Sequence, residues 1–160
     1  MSMVIAKFQL NGDDRAELVE SGTTLLSALR SKIGDLSAKA GCQQGTCGAC
    51  TVLIDGEARL ACVTLVEDCD DKRIETVKSL QTEAGLHPLQ EAFIACFAAQ
   101  CGFCTPGMLM AAKALLDDNP SPTREDVVEA ICGNVCRCTG YEPIITAILQ
   151  ASGQPARTGI

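Results

Sequence analysis

The sequence predicts an α+β fold in which a strand-rich N-terminal half is followed by a helical C-terminal half. From Val4 to Leu10 every second residue is apolar, which is the period of a strand with one buried face. After about residue 78 the apolar residues recur at helical spacing instead. Hydrophobic residues make up 47% of the 160 residues and aromatic residues only 3%, so the core must be mostly aliphatic.

Five strands and one helix are expected in the N-terminal half, in the order β-β-α-β-β-β, as a small mixed sheet packed on the helix. Asn11-Gly12 and Asp55-Gly56 are strong hairpin turn signals. Thr24 is a candidate N-cap for a helix that Gly34 ends. The strands are predicted at Val4–Leu10, Ala16–Glu20, Thr51–Ile54, Glu57–Leu60 and Ile74–Val77, and the helix at Leu25–Ile33.

Four helices are expected in the C-terminal half. Their starts are predicted at Pro88, after Thr105 as the N-cap before Pro106, after Thr123 in a capping box with Asp126, and near Pro143. The predicted organisation is a strand-rich domain over residues 1–76, a linker over 77–87, a four-helix domain over 88–150 and a frayed tail over 151–160.

Eight of the eleven cysteines fall into two sets of four with different spacings. The first set is C-x4-C-x2-C with a distant fourth member, and the second is C-x2-C followed by C-x-C: Cys42, Cys47, Cys50 and Cys62, then Cys101, Cys104, Cys136 and Cys138. A 2Fe–2S cluster needs four thiolates because each of its two irons takes two protein ligands, and the first spacing is that of plant-type ferredoxins. The sequence therefore predicts two clusters and a role in carrying electrons.

A structural zinc site is the alternative for both sets. Zinc ligands usually come as two short-spaced pairs, which three cysteines in one Gly-rich loop fit poorly. Gly41, Gly45 and Gly48 in that loop allow unusual backbone angles and let amide groups approach the sulfurs of a buried anionic cluster. The second set lies at a junction between helices and, taken alone, leaves zinc open; the first set beside it favours a cluster.

The other three cysteines are not expected to bind metal. Cys96 is separated from Cys101 by four residues, which repeats the C-x4-C spacing, but it shares the apolar face of its helix, so we assign it to the core. Cys132 lies near a helix end, where it could in principle replace a ligand, and Cys69 is expected to be exposed in the charged stretch EDCDDK. The single histidine, His87, is interpreted as a linker residue, and a Rieske-type site is excluded because it needs two histidines.

Composition and motifs exclude several functions. The net charge of −7 leaves no basic patch for nucleic acid. Neither a secretory signal nor a membrane-spanning stretch is visible, so a reducing, cytoplasmic location is expected, with metal ligation and not disulfides as the use of the cysteines. No catalytic triad, dinucleotide fingerprint or phosphate-binding loop is present, so the chain has no visible means of binding a substrate or flavin by itself.

Three segments carry a family resemblance. They are GCQQGTCGACTVLIDG, QCGFCTPGM and GNVCRCTGY. Together they closely resemble the small iron–sulfur subunit of the molybdenum hydroxylases, the family of xanthine dehydrogenase, aldehyde oxidoreductase and carbon monoxide dehydrogenase, over about residues 3–150. The resemblance implies a β-grasp, ferredoxin-like domain followed by a four-helix 2Fe–2S domain. It also implies a large molybdopterin-binding subunit and a medium FAD-binding subunit as separate partners, in a dimer of heterotrimers.

The resemblance also implies roles for individual residues. The set Cys101, Cys104, Cys136 and Cys138 would hold the cluster nearer molybdenum, and the set Cys42, Cys47, Cys50 and Cys62 the one nearer FAD. Gln100 and Cys138 match positions that approach the pterin. The implied function is to pass electrons one at a time between the molybdopterin centre and FAD, or another acceptor, and no substrate chemistry is expected on this chain. The alternative is a free-standing two-cluster carrier.

Overall fold

The computed structural model describes residues 2–83 and 85–153, and it has the expected mixed α+β architecture. Its five strands form one sheet in the order β2-β1-β5-β3-β4, in which β5 is parallel to β1 and the other neighbours are antiparallel. The strands are β1 Met3–Leu10, β2 Asp13–Glu20, β3 Thr51–Ile54, β4 Glu57–Leu60 and β5 Arg73–Glu75.

Two strands differ from their predicted bounds for local reasons. Asn11 and Gly12 both have positive φ, so the turn is tight and Asp13 already pairs with Leu10, which starts β2 three residues before the predicted Ala16. Beside the same turn, the Thr76 amide donates to the side chain of Asn11, and β5 ends at Glu75 instead of continuing to Val77.

The N-terminal helix changes its geometry after one turn. Helix α1 (Leu25–Ser27) is capped by the Thr24 hydroxyl, as predicted, and continues as a π-helix over Ala28–Ile33. The chain leaves this helix at Gly34, whose φ of 80° is in the left-handed region that favours glycine. The wide π-turn was not visible in the apolar spacing.

The C-terminal half contains four helices, which are α2 Pro88–Ala95, α3 Thr105–Asp118, α4 Arg124–Ile131 and α5 Glu142–Ala151. The Thr123–Asp126 capping box is present as predicted. The predicted N-cap of α3 was wrong: Cys104 is the capping position, and Thr105 lies inside the helix with a buried hydroxyl that makes no hydrogen bond. His87, interpreted as a linker residue, caps α2 by accepting a hydrogen bond from the Leu89 amide.

Apolar side chains form two clusters that meet at the sheet. One fills the space between the sheet and α1, and the other lies among α2, α3, α4 and α5. Leu53 of β3 belongs to the helical cluster, so α3 packs directly against the sheet. Among residues 2–83 and 85–153, no helix has both the length and the apolar character needed to cross a membrane. The domain boundaries at 76 and 88 remain predictions, and residues 154–160 of the predicted tail lie outside the described residues.

Candidate metal centres

The first cysteine set is assembled by one loop and one strand end. Cys42, Cys47 and Cys50 lie on the loop that leads into β3, and Cys62 follows β4, the hairpin partner of β3. Because β3 and β4 are antiparallel, the end of β4 returns beside the start of β3, and the Ala61 amide donates to the Cys50 carbonyl at 3.3 Å. The short hairpin therefore brings Cys62 back beside the loop, although Cys62 is twelve residues after Cys50 in the sequence.

Backbone amides of the loop point at the first sulfur. The amides of Gln44 and Thr46 donate to Cys42 Sγ at 3.5 and 3.3 Å. Together with the Thr46 hydroxyl, which is the largest contributor, they lower the pKa of Cys42 to about 5. A thiol with this pKa is a thiolate at neutral pH, which is the form that binds metal. These contacts support the expectation that the loop stabilises an anionic centre.

The second set is assembled where two helix junctions meet. Cys101 and Cys104 lie on the segment that enters α3, and Cys136 and Cys138 lie between α4 and α5. The sulfurs of Cys101 and Cys138 are 3.6 Å apart. The Cys104 and Cys136 side chains also interact with each other. The two predicted segments, more than thirty residues apart in sequence, are thus brought together.

Within each set, hydrogen-bond contacts between side chains join the cysteines in pairs. In the first set, Cys42 interacts with Cys47, and Cys50 interacts with Cys62. In the second set the pairs are Cys101 with Cys138 and Cys104 with Cys136. Two sulfurs bound to one tetrahedral metal at about 2.3 Å each lie about 3.8 Å apart, close to the 3.6 Å between Cys101 and Cys138. Two pairs side by side fit a two-iron cluster, in which each iron takes two thiolates. Within the described residues, 2–83 and 85–153, no group of three or more His, Cys, Asp or Glu side chains is gathered closely enough to hold a metal ion.

Burial and hydrogen bonding act in opposite directions on the pKa values of the thiols. Burial raises the pKa of Cys50 to about 11 and that of Cys104 to about 12. Burial also opposes ionisation of Cys136, but hydrogen bonds from Thr139, the Cys138 amide and Cys104 outweigh it and lower its pKa. Assembly of either centre would therefore release protons from its buried thiols.

The three remaining cysteines lie apart from the paired sets, and one of them contradicts its prediction. Cys69 is fully buried and not exposed, because the charged stretch folds into a 3₁₀ turn over Val66–Cys69 that points this side chain into the sheet–helix core. Cys96 is half-buried at the end of α2 and its thiol donates to Gln150 at 3.2 Å. Cys132 is exposed.

The residues expected to approach a pterin lie together at the surface. Gln100 Nε2 donates to the carbonyl oxygen of Cys138 at 3.1 Å, and both residues are exposed. Cys101 is exposed beside them, whereas Cys104 and Cys136 of the same set are more deeply placed. The second set therefore has one pair at the protein surface and one pair inside.

Sequence reasoning assigned no role to several residues that hold the second set in place. Tyr141 accepts a hydrogen bond from the Cys136 amide at 3.0 Å, and the Thr139 hydroxyl lies 3.1 Å from Cys136 Sγ. Asn134 is buried and donates to the Gly48 carbonyl of the first loop at 2.9 Å. All three are in the segment GNVCRCTGY, but a polar residue beside a ligand does not indicate which atom it contacts.

Comparison with known proteins agrees with this arrangement. A family profile described as a 2Fe–2S iron–sulfur cluster binding domain matches residues 4–95, and one described as a 2Fe–2S binding domain matches residues 76–149. The nicotine 6-hydroxylase small subunit of Paenarthrobacter nicotinovorans is 49% identical over 146 residues, which are 91% of this chain and 88% of that protein. This chain belongs to the family of small iron–sulfur subunits of the molybdenum hydroxylases.

Other family members show the same relationship. The nicotinate dehydrogenase small FeS subunit of Eubacterium barkeri is 42% identical, over 94% of this chain and 96% of that one. The crystal structure of quinoline 2-oxidoreductase from Pseudomonas putida 86 matches with a TM-score of 0.91 and 44% identity, over 98% of each chain. The aldehyde oxidoreductase of Desulfovibrio gigas has a TM-score of 0.90 and 40% identity, over 94% of this chain but 17% of that larger one. This chain is accordingly an electron-transfer component of an oxidoreductase that uses 2Fe–2S clusters.

Proposed function

We propose that this chain holds two 2Fe–2S clusters that connect a molybdopterin centre to FAD on two partner subunits. The pairing of thiols within each set carries the proposal, because two adjacent pairs supply the ligands of two irons. Cys42, Cys47, Cys50 and Cys62 would hold the cluster nearer FAD, and Cys101, Cys104, Cys136 and Cys138 the cluster nearer molybdenum. When bound, each cluster takes up and releases one electron.

The protein's own residues supply placement, burial and charge stabilisation. The amides of Gln44 and Thr46 offset negative charge at Cys42, and N–H···S contacts of this kind tune a metal centre. Cys50 and Cys62 are only 2% and 6% exposed, which keeps water from one side of the first centre. Tyr141 holds the Cys136 backbone through its hydroxyl. The chain thus fixes where electrons rest and leaves substrate chemistry to a partner.

The surface around the second set supports docking of the pterin-bearing subunit. Cys101, Cys138 and Gln100 are exposed there, so a cofactor on a partner can approach the outer pair. Phe97, three residues before Gln100, is 83% exposed and has a positive φ of 53°. Exposed aromatic side chains are common anchors of protein interfaces. We propose that Gln100 and Cys138 contact the pterin and that Phe97 contacts the protein around it.

The relatives also suggest the assembly. One is named 6-hydroxypseudooxynicotine dehydrogenase complex subunit beta, from Paenarthrobacter nicotinovorans, and is 45% identical to this chain. We propose a complex with one large molybdopterin-binding subunit and one medium FAD-binding subunit, arranged as a dimer of heterotrimers in the cytoplasm. Within the chain we propose a β-grasp domain over 1–76 and a four-helix domain over 88–150.

Purification from the native cell tests the proposal. An affinity tag on this chain should recover two larger polypeptides, with molybdenum and FAD in equal amounts. Added substrate should reduce the iron–sulfur clusters, which lowers their absorbance, before the flavin reoxidises the clusters. A free carrier, the alternative function, would purify alone and accept electrons from unrelated reductases. Recovery of the chain alone, loaded with iron and active as a carrier, would contradict the proposal.

A further inference from the structure

The carbonyl group of Gly48 is held by three hydrogen bonds. Gly48 lies between the ligand candidates Cys47 and Cys50. Its oxygen accepts from the Thr51 amide at 3.0 Å, the Thr51 hydroxyl at 2.7 Å and Asn134 Nδ2 at 2.9 Å. The first two bonds are local to the loop, but the third comes from the helical half of the chain. One peptide group of the first cysteine loop is therefore fixed from both sides.

Asn134 ties this peptide to the second cysteine set. It lies two residues before Cys136, is 5% exposed and also donates to the Thr51 hydroxyl at 3.3 Å. The next amide, that of Val135, donates to the carbonyl oxygen of Cys47 at 2.9 Å. Buried hydrogen bonds are electrostatically stronger than those in water and favour one geometry. The segment that carries Cys136 is thus bonded to the loop that carries Cys47.

The start of helix α3 meets the same peptide by close contact. A Cβ atom at Gly107, three residues after Cys104, would lie 2.2 Å from the Gly48 oxygen and 3.2 Å from Ala49 Cα. A Cβ atom at Gly48 would lie 2.5 Å from the Gly133 oxygen and 2.6 Å from Asn134 Nδ2. Only glycine fits at either position, so the backbones of the three segments touch directly.

We propose that Asn134 is a positioning residue that sets the separation and orientation of the two clusters through the Gly48 carbonyl. This inference rests on the proposed function, since it requires both sets to hold clusters. Asn134, two residues before Cys136, donates to the Gly48 carbonyl of the first set. Gly107, three residues after Cys104, packs closely against the same carbonyl oxygen. Movement of that peptide relative to Asn134 changes the distance that an electron must cross.

The test is the magnetic interaction between the two reduced clusters in the purified holoenzyme, measured by pulsed EPR. This dipolar interaction falls with the cube of the separation, so it reports position and not activity. In Asn134→Ala the iron content and both cluster signals are expected to persist. The dipolar interaction between the clusters should weaken, the distribution of its values should broaden, and electron transfer between the clusters should slow. Gly133→Ala is the matched control: it changes the adjacent residue, and its added Cβ has no atom within 4 Å.

A second variant keeps the test decisive if Asn134→Ala fails to load iron. Thr51→Val preserves the shape of the side chain but removes one donor to the Gly48 oxygen and one acceptor of Asn134. It should alter the interaction less than Asn134→Ala does, in the same direction. An interaction identical to that of the wild type in the iron-loaded variants would overturn the positioning role. Absence of two cluster signals in the wild type would instead overturn the proposed function itself.

Discussion

Cys104 is the ligand candidate whose replacement should have the cleanest effect. It lies at the start of α3, interacts with Cys136, and burial raises its pKa to about 12. A serine there cannot supply the thiolate that an iron requires. We expect Cys104→Ser to remove one of the two EPR-distinguishable clusters, and about half of the iron, while the signal of the other cluster persists.

Cys96 provides the matched control for that change. Four residues separate it from Cys101, as in the C-x4-C spacing of a ferredoxin-type ligand, but its thiol donates to Gln150 and its side chain packs against the helical cluster. Cys96→Ala should therefore keep both EPR signals and the full iron content. Loss of a signal in this variant, or survival of both signals in Cys104→Ser, would mean that the ligands are assigned wrongly.

Asp35 is a buried carboxylate that stabilises the sheet side of the molecule. Its side chain is 4% exposed, and it accepts hydrogen bonds from the Thr76 hydroxyl at 2.9 Å and the Ser37 amide at 2.9 Å. Burial alone would raise the pKa of Asp35, but the hydrogen bonds from Ser37, Thr76 and Lys78 outweigh it and lower the pKa. The charged form is thus favoured by folding.

We expect Asp35→Asn to lower the free energy of unfolding by roughly 1.5–3 kcal/mol at pH 7, the contribution of hydrogen bonds to a charged group. Because the folded pKa lies below the usual 3.8, this contribution is present above pH 3.8 and is lost as pH falls through the folded pKa. Urea unfolding, monitored by circular dichroism, gives the free energy of unfolding of both proteins. The difference in this free energy between Asp35→Asn and the wild type should stay constant between about pH 7 and 5 and shrink below about pH 4. A difference that grows on acidification would contradict the assignment.

Helix α4 depends on its capping box at the N-terminus. The Thr123 hydroxyl accepts from the Asp126 amide at 3.2 Å, and Asp126 accepts from the Thr123 amide at 2.8 Å. Thr123→Ala should lower the free energy of unfolding by about 1 kcal/mol, which corresponds to a Tm lower by about 3 °C.

Ser121→Ala, two residues earlier on an exposed position, is the control for the capping effect and should leave the Tm unchanged. Both variants should keep both cluster signals, since α4 contributes no ligand candidate. Equal Tm values for the two variants would show that the capping box contributes nothing measurable.

Local signals in the sequence were sufficient for the elements that depend only on neighbouring residues. The β3–β4 hairpin matches its predicted bounds because Asp55 and Gly56 both adopt positive φ in a two-residue turn. The burial of Cys69 was missed because tertiary packing decides it, and the π-helix after Ser27 was missed because the spacing of apolar residues does not show it. The sets of cysteines could be predicted from spacing, but the pairs within them depend on how the helix junctions converge.

At the scale of the whole molecule, Phe97 is the side chain that we expect to bind the pterin-bearing subunit. It is 83% exposed and lies close in sequence to Gln100. If Phe97 is an interface anchor, Phe97→Ala should weaken that subunit's binding by about 2 kcal/mol or more, roughly thirtyfold in Kd, with iron content unchanged. Binding of the purified subunits, measured by calorimetry, gives the value.

Leu18 is a suitable control for Phe97. It is apolar and 56% exposed, but it lies on β2 at the edge of the sheet, in the other half of the chain. Leu18→Ala should leave the affinity for the pterin-bearing subunit unchanged. Equal affinities of the wild type and Phe97→Ala would place the docking surface elsewhere.

The two paired cysteine sets make metal analysis the most direct test of the account. Iron, acid-labile sulfide and zinc should be measured on the purified holoenzyme, together with EPR after reduction. We predict about four irons and about four sulfides for each copy of this chain, and two distinct 2Fe–2S signals. Zinc in place of iron, or iron for one cluster only, would contradict the account.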